Sequence, residues 1–301
     1  MKTHNYMLPI ALLALLTACK KENDVEKPVE PAVETAPTEA ILTLQANKGE
    51  ADTKALDLVN DGKTLNAYWK DTEKVKVFKD GTLLGTLDVT PAAGEKPTSA
   101  TLSGTVNTDG LAAGNALTLF FPSENWTYIG QVGTLASIET DYDYATASVT
   151  IATVDGANQT ITTTASANFL NQQSIYRFGF KDGENYFDPK DFTVSATGGK
   201  LVQSMSWNGS AWTPLYGNIG VTPASAPGDH FYYVSIRNDQ TTDDTYNFVI
   251  TGSDDVLYMA TKAIPAAVLD SPKFISAKSI TATKSDFGPA GGGVDDPAEV
   301  L

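Results

Sequence analysis

From residue 41 onward the chain alternates apolar and polar positions with a period of two, and turn residues interrupt the alternation about every 8–12 positions. A period of two places successive side chains on opposite faces of a strand, so each run predicts a half-buried β-strand. The first run is residues 41–46, Ile-Leu-Thr-Leu-Gln-Ala. Residues 75–79 and 82–87 follow, separated by Asp80-Gly81. Both turn residues tolerate positive φ, which predicts a tight hairpin there. Further runs lie at 100–106, 116–121 and 147–154. A second set opens at 175–180, Ile-Tyr-Arg-Phe-Gly-Phe, and continues at 192–196, 217–221, 231–236, 246–250, 256–260 and 279–283. The expected fold is all-β, with two tandem β-sandwich domains at residues 41–168 and 169–287. The polar stretch 165–168 marks the junction. No internal repeat of fixed period stands out. Residues 288–301, with Gly291, Gly292 and Gly293 and two prolines, predict a flexible tail.

Composition narrows the function. Hydrophobic residues make up 42% of 301, enough to fill a core. Lys and Arg total 21 against 36 Asp and Glu, a formal charge of -15, which disfavours nucleic acid and anionic membrane surfaces as partners. The single cysteine, Cys19, permits no intramolecular disulfide. Of two histidines, His4 lies in the leader, so His230 stands alone in the mature chain. A serine triad needs a histidine base held by a carboxylate, and His230, beside Phe231, reads as a bystander. Zinc would need several His or Cys ligands. The pairs Asp141/Asp143, Asp243/Asp244, Asp254/Asp255 and Asp295/Asp296 sit in turn-like settings and read as solvated loop tips. The calcium-loop pattern and the glycine-rich phosphate loop are absent from the sequence. No catalytic, metal or cofactor residue is assigned, no cofactor is expected, and an enzyme is not the reading. Trp69, Trp126, Trp207 and Trp212 fill a core on the commoner reading. On the other they form a sugar-stacking platform, which would make the chain a glycan-binding surface lipoprotein.

The N-terminus carries its own signal. Lys2 precedes a short apolar run at residues 8–16, too short for a bilayer, which takes about 20 residues. Leu16-Thr17-Ala18-Cys19 at its end resembles the lipobox of bacterial lipoproteins. The resemblance implies a signal peptide at 1–18 and a lipid-anchored Cys19. Lys20, rather than Asp, fits sorting to the outer membrane, and Glu22 and Asp24 resemble a surface-export signal. Residues 19–40, rich in Glu and Pro, read as a flexible spacer, of which residues 20–37 reach about 50 Å in polyproline form.

One resemblance spans about residues 41–285. The lipobox, the acidic spacer, Ala51-Asp52-Thr53-Lys54-Ala55, the run Trp-Lys-Asp-Thr-Glu-Lys-Val-Lys-Val-Phe at 69–78, Leu119-Phe120-Phe121-Pro122, and Asn-Gln-Gln-Ser-Ile-Tyr-Arg-Phe-Gly-Phe at 171–180 carry it. Gly217-Asn218-Ile219, Thr261-Lys262-Ala263 and the closing Phe274-Ile275-Ser276-Ala277 add to it. In this order they resemble the fimbrillins, subunits of Bacteroidia-type (type V) fimbriae. The resemblance implies two transthyretin-like sandwich domains, display on the cell surface in a fimbrium, and adhesion to host or bacterial surface ligands. It also implies that a trypsin-like protease cuts after a basic residue, that the first strand leaves, and that a strand of another fimbrial subunit takes its place. Here the departing strand would be residues 41–46. The cut would follow Lys54, with Lys48 as the lesser candidate. The family often has Arg at this cut, whereas the first Arg here is Arg177. After Phe287 the chain lacks an alternating apolar strand, so a donor strand is not evident. This leaves stalk, tip and accessory positions open.

Overall fold

The computed structural model describes residues 38–48, 57–58, 65–270, 272–276 and 279–285. The described residues form one compact unit. As the alternation predicts, the architecture is all-β.

The first set of strands comprises β1 (Glu39–Lys48), β2 (Asp57–Leu58), β3 (Leu65–Asn66), β4 (Lys74–Lys79), β5 (Thr82–Pro91), β6 (Ser99–Asn107), β7 (Ala116–Phe121), β8 (Asn125–Thr127), β9 (Ala145–Asp155), β10 (Thr160–Thr163) and β11 (Ala167–Asn171). β2 and β3 pair with each other. Apart from them and β8, the set closes into a ring. β1 pairs with β6, then the order runs β5, β4, β7, β9. β9 pairs with both β10 and β11, which lie end to end along the other edge of β1. Leu42, Val75, Val77, Leu87, Leu102 and Leu119 point into this ring, all fully buried. The predicted hairpin is formed: Asp80 and Gly81 have φ of 46° and 82°. A Cβ on Gly81 would stand 2.1 Å from the Cα of Gly209, so the close approach of a second turn requires glycine as well.

The second set comprises β12 (Ser174–Asp182), β13 (Asn185–Phe187), β14 (Pro189–Ala196), β15 (Val202–Trp207), β16 (Trp212–Tyr216), β17 (Ile219–Val221), β18 (Phe231–Ile236), β19 (Asp244–Gly252), β20 (Leu257–Ile264), β21 (Phe274–Ser276) and β22 (Ile280–Lys284). Its connectivity repeats that of the first. β12 is antiparallel to β18 and parallel to β21 and β22, as β1 is antiparallel to β6 and parallel to β10 and β11. β14 pairs with β17 and β19, as β4 pairs with β5 and β7. β19 leads to β20 and β20 to β22, as β7 leads to β9 and β9 to β11. A duplication of topology is therefore present although the sequence shows no fixed period. Each copy reuses the pattern of inward positions, not the residues.

One difference between the copies is a seam. β5 pairs with β6, but among the described pairings β17 does not pair with β18. Residues 131–133 of the first set fill that gap. Gln131 bridges Val221, the Thr222 N–H donates to the Gln131 carbonyl at 3.0 Å, and the Tyr233 N–H donates to the Gly133 carbonyl at 2.9 Å. β8 meanwhile joins β15 and β16 in a small sheet. Phe78, Phe120, Trp126, Tyr128 and Tyr144 consequently share a core with Phe178, Phe192 and Phe248. The stretch 165–168, read as the junction, runs into β11 because Ala167 and Phe169 both point inward. The second sheet starts at Ser174.

Candidate functional site

The slot held by β1 is the best-defined feature of the first ring. β1 is longer than the six residues read from the sequence, and its burial alternates without a break from Glu39 to Lys48. Ala40, Leu42, Leu44 and Ala46 point inward, each at most 4% exposed. The two leucines alone contribute about 1.5–3 kcal/mol each through burial. The outer face is polar apart from Ile41. Thr43 shares a 2.9 Å hydrogen bond with Ser103, Gln45 donates to Thr101 at 3.0 Å, and Asn47 donates to Asn168 at 3.0 Å. Both edges of β1 are in ladders: residues 39–47 are in antiparallel register with β6, and the other edge meets β10 and β11 in parallel. A strand so placed is the closing stave of the ring. Its absence would leave backbone donors and acceptors unpaired on both neighbours, beside an apolar slot.

Lys48 is the fifth inward residue. Its side chain is wholly enclosed. The ammonium donates to the Tyr68 carbonyl at 2.8 Å and to both Glu73 carboxylate oxygens at 2.7 and 2.9 Å. It also lies 4.4 Å from the ring centre of Trp69 and 4.6 Å from that of Phe121, a cation–π arrangement. Burial lowers the Lys48 pKa, against the opposing pull of Glu73 and Asp143. Glu73 is set in place by the backbone too, because its Oε2 accepts the Lys70 N–H at 2.9 Å. Lys48 thus sits with its head group inside the fold rather than offered to solvent. Cys19 and Lys54 lie outside the described residues.

The other residues singled out in the sequence are dispersed. His230, at φ 60°, stacks on Tyr186 and bonds through Nδ1 to Asp188 at 3.0 Å. Among the described residues no group of three or more His, Cys, Asp or Glu side chains is placed to hold a metal. The aspartate pairs are not simply loop tips. Asp143 and Asp244 are 3% and 6% exposed. Burial by itself raises the Asp244 pKa, but bonds from Asn238 and from the Gly198 and Thr245 N–H groups outweigh it and hold the carboxyl below its ordinary value. Trp69 and Trp126 are buried, and Trp207 and Trp212 pack on Phe120 and on each other. The four tryptophans therefore serve packing rather than an open sugar platform. Glu73 and Gln131 escaped the sequence reading. The parity of β1 (inward at 40, 42, 44, 46 and so 48) was the available signal that Lys48 needs an internal carboxylate.

The fold and this slot define an all-β protein of two topologically matched halves, the first closed by its N-terminal strand. No protein-family model matches the chain, and no curated protein matches its sequence. Among solved structures it is similar to a candidate cell adhesion protein from Bacteroides fragilis, at 13% identity and TM-score 0.44, covering 83% of this chain and 98% of that one. It is similar to another from Bacteroides uniformis, at 14% identity and TM-score 0.41, covering 83% and 99%. A fimbrial assembly protein from Parabacteroides distasonis aligns at 11% identity and TM-score 0.36, covering 83% and 99%.

Proposed function

We propose that this protein is a structural and adhesive subunit of a cell-surface fimbrium, displayed as a lipoprotein through Cys19 and joined to other subunits by strand exchange. The observation that carries the reading is the placement of β1. It is the N-terminal strand of the first ring, it is laddered on both edges, and it alone separates β6 from β10 and β11. Proteolysis beyond β1 removes the covalent link between the strand and the rest of the ring. A strand from a neighbour then satisfies both open ladders and refills the slot. Contacts of this head-to-tail kind do not close on themselves and give a filament. Lys48 is a poor protease substrate because its head group is enclosed by Glu73, Trp69 and Phe121. The cut falls instead after Lys54. Each tandem half acts as one transthyretin-like module of the subunit.

Electron microscopy of native cells labelled with antiserum to this protein tests the reading. Labelled filaments, together with ladders of detergent-resistant oligomers on gels, are the expected result. Label confined to a smooth outer surface, with only monomer on gels and saturable sugar binding by that monomer, would replace it with the glycan-binding alternative.

A further inference from the structure

We propose that the slot of the first strand is keyed by charge: the strand that replaces β1 must present a cation at the position Lys48 now holds. This rests on the exchange reading above and adds what that reading leaves open, namely which strands the slot accepts and in which register.

The slot reads its occupant through alternate side chains. β1 offers small, large, large and small apolar groups at Ala40, Leu42, Leu44 and Ala46, then a cation. Apolar pockets discriminate weakly, because a strand displaced by two residues still presents apolar groups to most of them. The fifth position is different. Withdrawal of Lys48 leaves the Glu73 carboxylate, the Tyr68 carbonyl and the faces of Trp69 and Phe121 without the ammonium that now joins them. Glu73 stays in place because the Lys70 N–H holds it. The side chain of Lys70, the other cation acting on this site, is engaged by Glu139. Asp143, buried nearby, adds negative potential. A strand with an apolar residue at the fifth position would strand a nearly buried carboxylate, whereas one with Lys or Arg completes the site. A shift of register by two residues would bring Ala46 or Glu50 to this position, so the same pairing fixes alignment along β6.

The test uses the full chain with a specific protease site placed between Lys48 and Asp57. After cutting, β1 is held without a covalent link. Fluorescent peptides of residues 39–48 are added in excess, with the native Lys48, Lys48→Arg or Lys48→Met, and entry is followed by polarisation. The Lys and Arg peptides are expected to enter, and the Met peptide to bind at least about 30-fold more weakly. In a Glu73→Gln chain the Lys preference is expected to shrink to about threefold or less. Equal binding of the Lys and Met peptides to the unaltered chain overturns the key and leaves strand exchange standing. Entry of no peptide at all overturns exchange itself, and the key with it.

Discussion

Gln131 is the residue whose replacement should cost the protein most for its size. It is fully buried, and its side-chain amide does the work of a strand residue in the seam between β17 and β18. Oε1 accepts the Ser235 N–H at 2.7 Å, and Nε2 donates to the Ser235 carbonyl at 2.7 Å and to the Tyr128 carbonyl at 3.0 Å. Gln131→Leu keeps a similar volume but removes all three bonds. An orphaned buried N–H costs about 1–3 kcal/mol and each carbonyl somewhat less, so the three together cost roughly 3–5 kcal/mol. Against a total stability of about 5–15 kcal/mol this is a large fraction. Urea unfolding followed by tryptophan fluorescence measures it directly: the midpoint falls while the slope is unchanged. Amide hydrogen exchange at Tyr233 and Ser235 should accelerate most, because those groups line the seam. A loss below about 1 kcal/mol, with exchange at the two amides unaltered, would refute the view that the amide substitutes for a ladder.

Three further outcomes follow from the same geometry. Leu42→Ala should cost about 2–5 kcal/mol in thermal or urea unfolding, since Leu42 is fully buried, whereas Thr43→Ala on the outer face should stay within about 0.5 kcal/mol. Lys48→Met should cost about 2–4 kcal/mol, because Glu73 keeps only slight solvent contact, and the double change Lys48→Met with Glu73→Gln should recover part of that loss in the same assay. Asp244 has a lowered carboxyl pKa in the fold, so its ionised form contributes stability above the ordinary carboxylate value, and that contribution is lost as pH falls toward the lower folded value. Stability measured between about pH 5 and pH 2 should therefore fall less steeply in Asp244→Asn than in the unaltered chain, from a lower starting point.

The legible part of the fold was the part made by local rules. The runs at 41–46, 75–79 and 82–87 formed strands because alternation alone puts their apolar residues on one face. Asp80-Gly81 formed its turn because both residues accept positive φ. What escaped was made by partners distant in the chain. β8 is three residues long, and its strand character comes from pairing with β15 across the two halves, with Trp126 opposite Met205. Gln131 carries no motif, since its role exists only where Ser235 lies opposite. Asp143 and Asp244 looked like loop tips because Thr, Ser and Gly surround them in sequence. In the fold, donors from other segments surround them: Gln173 for Asp143, and Asn238 and Gly198 for Asp244. Lys48 is the lesser cleavage candidate only by the resemblance to fimbrillins, while its parity within β1 points inward.

The proposed strand exchange requires that β1 leaves the subunit before it is found in filaments. N-terminal sequencing and intact mass of the subunit recovered from filaments on native cells measure this most directly. The expected result is a chain that begins at Ala55, with Cys19 and β1 gone. Filaments built only from chains that still begin at lipidated Cys19 and retain residues 39–48 would contradict it.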